Sequence, residues 1–182
     1  MSQDFVAKRL DVKAFAKAAG VLAGRDPLSS YARLTEEAGG RGGDRELDWQ
    51  ARGELRLDAK GFSQIWLHLQ ATVSLPLVCQ RCLGPVDIAV AVDRSLRFVA
   101  TEAQAEAEDE DAQEDVLALS RDFNLRELIE DELLMALPVV PRHEVCPTAV
   151  KLAVQDPDFE APSKAKPNPF AVLAKLQAGK SS

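Results

Sequence analysis

The sequence lacks long hydrophobic runs and contains only three cysteines and two histidines. No apolar stretch approaches the roughly 18 residues that a membrane-spanning helix needs, which excludes an integral helical membrane protein. Residues 1–5 lack the basic and then apolar order of a secretory leader, so we expect a cytoplasmic location. The three cysteines are an odd number for a disulfide framework, which favours reduced thiols or a metal site.

Basic residues do not dominate the chain, and its formal net charge is −7. This charge argues against a generic nucleic-acid binder. Residues 102–115 alone hold eight acidic side chains and no basic one, whereas the rest of the chain carries 22 basic and 21 acidic residues. Because this segment is also rich in alanine and glutamine, we expect a solvated acidic loop. RNA binding by another surface is left open.

Alternation of apolar and polar residues predicts a β-sheet between residues 45 and 100. The connections at 59–61 and near 83–85 are too short for parallel crossovers, so neighbouring strands should be antiparallel. Helices are predicted for 11–19, for 29–38 and from Asn124 to Pro138, where Asn124 provides an N-cap. The expected fold class is α+β, with a partly barrel-like antiparallel sheet and a few helices packed on it.

The chain is predicted to hold a single α+β domain over 1–146, which includes the acidic loop, and an extended proline-rich tail over 147–182. A short helix beginning near Pro169 would carry Phe170, Leu173 and Leu176. Such a helix is too short to be stable alone. Its apolar side chains are therefore candidates for docking on the protein's own sheet or in a partner's groove.

The sharpest local motif is Cys79-Gln80-Arg81-Cys82, at the tip of a predicted hairpin. Two cysteines at this spacing can share one tetrahedral Zn²⁺, and a structural zinc site needs two further ligands. His143 and Cys146 would supply them, which gives the candidate set Cys79, Cys82, His143 and Cys146. Turn cysteines without a metal remain an alternative, as does a redox pair, although the motif lacks the βαβ context of redox CxxC proteins.

The polar side of the predicted sheet combines cations with planar side chains, which suits unpaired RNA bases. The RNA-binding candidates are Arg52, Arg56, Trp66 and His68, with Arg81 at the hairpin tip. Alternatively, Trp66 packs under another element and the arginines pair with Glu54.

No catalytic residue is predicted. The acidic residues at 130–132 are consecutive, so they point in different directions on a helix, and no phosphate-binding loop or nucleophile elbow is present. We therefore expect neither enzymatic activity nor a small-molecule substrate.

Three segments carry a family resemblance: Cys79 to Cys82, the run ELLMALPVVP at 132–141, and KPNPFAVL at 166–173. With these motifs the chain resembles the large ribosomal RNA subunit accumulation protein family (YceD-like). The resemblance implies a non-enzymatic ribosome-biogenesis factor for synthesis, processing or stability of 23S rRNA, and thus for large-subunit assembly. It also implies that the protein interacts with 23S rRNA or its precursor, either directly or through a ribosomal protein. A zinc-dependent module that binds a ribosomal protein and an rRNA-processing enzyme are the alternative functions.

Overall fold

The structure is a computed structural model that describes residues 4–149 and Val154. The chain divides into two units, Met1–Thr148 and Ala149–Ser182. The predicted C-terminal helix with Phe170, Leu173 and Leu176 lies outside the described residues, as does most of the predicted tail. The first unit is described below.

One mixed sheet contains all the strands of the described residues. In chain order they are β1 (Val21–Pro27), β2 (Glu46–Leu57), β3 (Ser63–Val78), β4 (Pro85–Val99) and β5 (Asp115–Ala118). They lie side by side in this order, antiparallel from β1 to β4, whereas β5 runs parallel to β4. Because the sheet does not close between β1 and β5 within residues 4–149, it is barrel-like only in part. The predicted α+β class is confirmed.

Four α-helices and one 3₁₀ turn accompany the sheet in the described part of the chain. They are α1 (Val12–Lys17), the 3₁₀ turn (Leu28–Ser30), α2 (Ala32–Glu37), α3 (Glu102–Asp109) and α4 (Leu125–Met135). As predicted, Asp11 caps α1 through the N–H of Ala14, and Asn124 caps α4. No helix in residues 4–149 is long and apolar enough to cross a membrane.

The hydrophobic core lies on one face of the sheet, under α1, α2 and α4. On β3 the alternate side chains Ile65, Leu67, Leu69, Ala71, Val73, Leu75 and Leu77 are all buried. Phe15, Leu34, Ile129 and Leu133 from the three helices belong to the same cluster. Burial of such side chains contributes about 1.5–3 kcal/mol each, so this cluster holds the helices against the sheet.

The other side of the sheet, called the open face below, is formed by even-numbered residues of β2 and β3 and by odd-numbered residues of β1 and β4. Gln50, Arg52, Gln70 and Thr72 are exposed there. The open face thus presents polar groups to solvent, which is why β2 and β3 alternate in sequence.

The prediction of a solvated loop over 102–115 is wrong. Helix α3 occupies Glu102–Asp109, Thr101 caps it through the N–H of Gln104, and β5 begins at Asp115. The helix covers the β4–β5 edge of the open face through Ala105, which packs in a small cluster with Val99 and Val116. Alanine, glutamate and glutamine are good helix formers. The helix was missed because its one buried side chain, an alanine, gives no apolar stripe that the sequence pattern could reveal.

Candidate functional site

The turn between β3 and β4 presents the two cysteines of the CxxC motif. The N–H of Cys79 donates to the carbonyl of Gly84 and the N–H of Leu83 donates to the carbonyl of Cys79, which closes the turn. Leu83 has a φ of 59°, in the left-handed region that favours glycine. Cys79 is fully buried, whereas Cys82 is partly exposed.

A second segment, after α4, brings the other two candidate ligands to this turn. The N–H of Gln80 donates to the carbonyl of Pro141 at 2.8 Å, which joins the two segments. The Arg81 side chain donates to the carbonyl of His143 at 3.2 Å. The predicted meeting of residues separated by sixty positions in sequence is thus present in the fold.

The four side chains converge as expected for a metal site. Their ligand atoms all lie within 4.8 Å of one another. The Cys79 and Cys146 sulfurs are 3.9 Å apart, and Cys82 Sγ is 3.4 Å from His143 Nδ1. A tetrahedral ion with sulfur ligands at roughly 2.3 Å and nitrogen near 2.1 Å needs separations of about 3.5–3.8 Å. The donor set could therefore hold a metal ion with little rearrangement.

Without a metal the thiols differ in acidity. Burial raises the pKa of Cys79, but N–H groups directed at its sulfur, first those of Cys82 and His143, lower it overall to about 5. Burial and the neighbouring Cys82 and Cys79 sulfurs raise the pKa of Cys146 to about 11. The Cys79 thiol thus ionises more readily than the Cys146 thiol, and a bound cation would favour the thiolate form of each cysteine ligand.

Four exposed apolar side chains lie close in sequence to the candidate ligands. Leu83 is 75% exposed, and Val139, Val140 and Val145 are exposed as well. Each lies within three residues of a candidate ligand or of Pro141. Isolated exposed apolar residues are ordinary, but a group of four around one turn is typical of a contact surface.

Four of the five RNA-binding candidates come together on the open face, which is the arrangement that the sequence predicts. The guanidinium of Arg56 lies 4.7 Å from the centre of the Trp66 ring. The rings of Trp66 and His68 are 6.5 Å apart and nearly parallel, at 6°. Glu54 accepts from His68 Nε2 at 2.8 Å and pairs with Arg56 at 3.2 Å. The alternative also holds in part, since Trp66 is buried and Arg56, though not Arg52, pairs with Glu54. The Arg56 and His68 contacts lower the pKa of this carboxyl.

Arg81 does not belong to this group. It lies beside the candidate metal ligands, at the other end of β3 from Trp66 and His68. Arg52, in contrast, is paired with His68 in the strand register.

Sequence reasoning missed the part that Arg97 plays on the open face. Arg97, opposite Trp66 in the register, is buried and pairs with Glu108 and Glu114. Because those glutamates lie in the segment mistaken for a loop, no sequence signal pointed to these ion pairs.

The three consecutive acidic residues of α4 pair with arginines of two other elements, Glu130 and Asp131 with Arg33 of α2 and Glu132 with Arg94 of β4. Glu130 also accepts from the main-chain N–H of Arg33. These carboxylates hold elements together, and in the described structure they do not converge as a general acid and base would.

The comparisons with known proteins concern most of this structure. The family model described as "Large ribosomal RNA subunit accumulation protein YceD" matches residues 67–177. This range contains all four candidate metal ligands but begins after Arg52, Arg56 and Trp66.

The chain is 35% identical over 107 residues to the Haemophilus influenzae protein "Large ribosomal RNA subunit accumulation protein YceD". The alignment covers 58% of this chain and 61% of that relative, so the chain spans less than two thirds of the relative's length. No solved structure matches the chain. The family model spans more than half of the residues and includes the CxxC turn and α4, and the chain accordingly belongs to the YceD family of large ribosomal RNA subunit accumulation proteins.

Proposed function

We propose that the protein is a non-enzymatic ribosome-biogenesis factor that acts in the cytoplasm, supports the accumulation of 23S rRNA and contributes to assembly of the large ribosomal subunit. Its membership of the YceD family supports the rRNA role. The observation that favours a structural over a catalytic role for the β3–β4 turn is its four-ligand cluster. Four protein ligands fill a tetrahedral ion, which leaves no position for a substrate or a catalytic water.

The metal of this proposal is one structural Zn²⁺, held by Cys79, Cys82, His143 and Cys146. A set of three thiolates and one imidazole binds zinc in preference to calcium or magnesium, which take oxygen ligands. The ion would supply a cross-link between the β3–β4 turn and the segment after α4. The turn and its surrounding apolar side chains would then be rigid enough to recognise a partner.

The second candidate function is a zinc-dependent protein-interaction module that reaches rRNA only through a ribosomal protein. The exposed Leu83, Val139 and Val145 around the cluster favour it, since exposed apolar groups beside a rigid turn suit a protein partner. Both functions require the cluster, and they differ in whether the protein itself contacts RNA.

The proposal is tested in cells depleted of the protein and complemented with wild type or with the Cys79→Ser and Cys82→Ser double variant. We expect wild type to restore the ratio of 23S to 16S rRNA and the double variant to fail. An unchanged ratio on depletion would contradict the rRNA role. Trimming of a 23S precursor by the purified protein alone would contradict the non-enzymatic part.

Zinc content is tested separately, on protein purified without added metal. The chain has only two histidines, so His143→Asn and His68→Asn form a matched pair. We expect about one zinc per chain for wild type and for His68→Asn, and a clear loss for His143→Asn. Equal zinc content in the two variants would argue against His143 as a ligand.

A further inference from the structure

The open face carries a row of planar groups, of which Trp66 is only 9% exposed and Arg56 is the exposed member. Arg56 stacks on Trp66, and the His68 ring continues the row in a nearly parallel plane. The Trp66 indole N–H is already bonded to Gln64, at 3.2 Å. The Arg56 side chain remains 43% exposed and forms the outer surface of the stack. Guanidinium planes and aromatic rings are the groups on which proteins stack unpaired bases.

A shallow depression adjoins this row and is lined by Gln50, Arg52, His68 and Gln70. The two glutamines are opposite each other in the register of β2 and β3. They also line a second depression, which extends along β2 towards β1 past Gly24, Asp48 and Thr72. Side-chain amides both donate and accept, as recognition of base edges requires. Together the two depressions form a continuous polar track across the sheet. The Gln70 amide also donates to Asp93 at 2.9 Å, so this carboxylate lies beside the track as Glu54 does.

Arg52 is the charged group that selects a ligand for this track. The other arginines of the open face have carboxylate partners: Arg25 with Asp48, Arg56 with Glu54, and Arg97 with Glu108 and Glu114. In the described residues Arg52 has no such partner within 4 Å and is exposed. An exposed cation beside amides and stacked planar groups suits a phosphate next to a base, and the polar track does not suit an apolar peptide.

We infer that the open face binds single-stranded RNA, with a phosphate at Arg52, a base stacked on the exposed side of the Arg56 guanidinium that Trp66 supports, and base edges at Gln50 and Gln70. The inference rests on the proposed rRNA function and supplies the direct contact which that function leaves undefined. Paired bases are stacked on each other and do not offer their faces, so duplex RNA fits this track poorly. Glu54 lies next to both Arg56 and His68 and opposes the phosphate charge.

The test uses the full-length protein and a fluorescent single-stranded RNA of about 12 nucleotides, with binding followed by anisotropy at roughly 50 mM and 200 mM salt. We expect Arg52→Gln to weaken binding about five- to tenfold and to flatten the salt dependence, as loss of one phosphate contact does. Glu54→Gln should strengthen binding, because it removes the opposing charge. Arg121→Gln is the matched control, since Arg121 is exposed in the segment between β5 and α4; it should change binding by less than about twofold.

Absence of binding by the wild-type protein would overturn the inference, and so would equal losses for Arg52→Gln and Arg121→Gln. Equal affinity for the same RNA in a duplex would also overturn it. Melting temperatures of the three variants should match that of wild type, because all three positions are at least partly exposed polar sites. These readouts are independent of the 23S to 16S ratio in depleted cells, so a failure of the proposed function is distinguished from a failure of the binding site.

Discussion

The side chain of Glu130 caps a helix to which it does not belong. One of its carboxylate oxygens accepts the main-chain N–H of Arg33 at 2.7 Å, and the other pairs with the Arg33 guanidinium at 3.1 Å. Helix α2 lacks a capping side chain of its own, since its N-cap residue is Tyr31. An acidic group near a helix N-terminus satisfies free N–H groups and interacts favourably with the helix dipole.

We predict that Glu130→Ala lowers the free energy of unfolding by about 2 kcal/mol, because it leaves the first turn of α2 without its cap and Arg33 without its buried partner. Glu130→Gln should cost less, since an amide oxygen still accepts the N–H bond. Urea unfolding measures both. Glu127→Gln, an exposed position on the same helix, is the control and should change stability by less than about 0.5 kcal/mol.

A second prediction concerns the acid stability that Asp26 provides. Its carboxylate accepts from the Trp49 indole at 2.8 Å and from the Tyr31 hydroxyl at 2.9 Å, and it pairs with Arg126. Burial raises the pKa of Asp26, but these three donors outweigh it and the pKa is lowered. Folding therefore favours the ionised form. The stabilisation is complete above the unfolded pKa of about 4 and is lost as the pH falls through the folded value.

Asp26→Asn should accordingly lower the free energy of unfolding by about 2 kcal/mol at neutral pH. The free energy of unfolding of this variant should also decrease less than that of wild type between about pH 5 and pH 3, the range over which an aspartate titrates. Denaturant unfolding at several pH values measures this dependence. Asp122→Asn removes the exposed pair with Arg9 and should leave the curve nearly unchanged. If the free energy of unfolding of Asp26→Asn fell with pH as steeply as that of wild type, Asp26 would not be a source of the acid dependence.

Removal of metal should loosen the β3–β4 turn. We expect a chelator to lower the melting temperature of the wild-type protein by at least about 5 °C, because the proposed ion would link two segments that are otherwise joined by few hydrogen bonds. Cys82→Ser should lower it similarly, and the chelator should then have little further effect. Additive losses would show that the chelator acts elsewhere.

Helix α3 should depend on Arg97. Its only buried side chain is Ala105, so the ion pairs of Arg97 with Glu108 and Glu114 provide much of its attachment. We predict that Arg97→Gln speeds hydrogen exchange of the α3 amides by about tenfold or more while the amides of β3 keep their protection. Arg94→Gln, which removes an arginine from the same strand, is the control. Equal exchange of α3 in both variants would contradict this attachment.

The features that the sequence predicts correctly are those with a local signal. Strands β2 to β4 follow from period-two alternation, α4 from the Asn124 cap, and the convergence of four candidate metal ligands from the cysteine spacing and His143. In each case the residues that make the signal are the ones that make the contact.

The features that it does not predict depend on partners distant in sequence. Strand β1 carries Gly24 and Asp26 on its core side, an unusual composition for a strand. The structure explains both residues by Trp49: a Cβ at Gly24 would lie 2.7 Å from its ring, and Asp26 accepts its indole N–H. Helix α3 was missed for the same reason, since Arg97 holds it from another element.

Both candidate sites are built on β3, with Trp66 near its start and Cys79 directly after its end. An extended chain of this length covers about 40 Å. The strand pairs with β4 from Ile65 to Val78, so the segment between the two sites is held in an extended conformation. Ligands bound at the two sites are consequently held at a fixed distance from each other. A single molecule that occupied both sites would have to span that distance, which exceeds the diameter of a small protein domain.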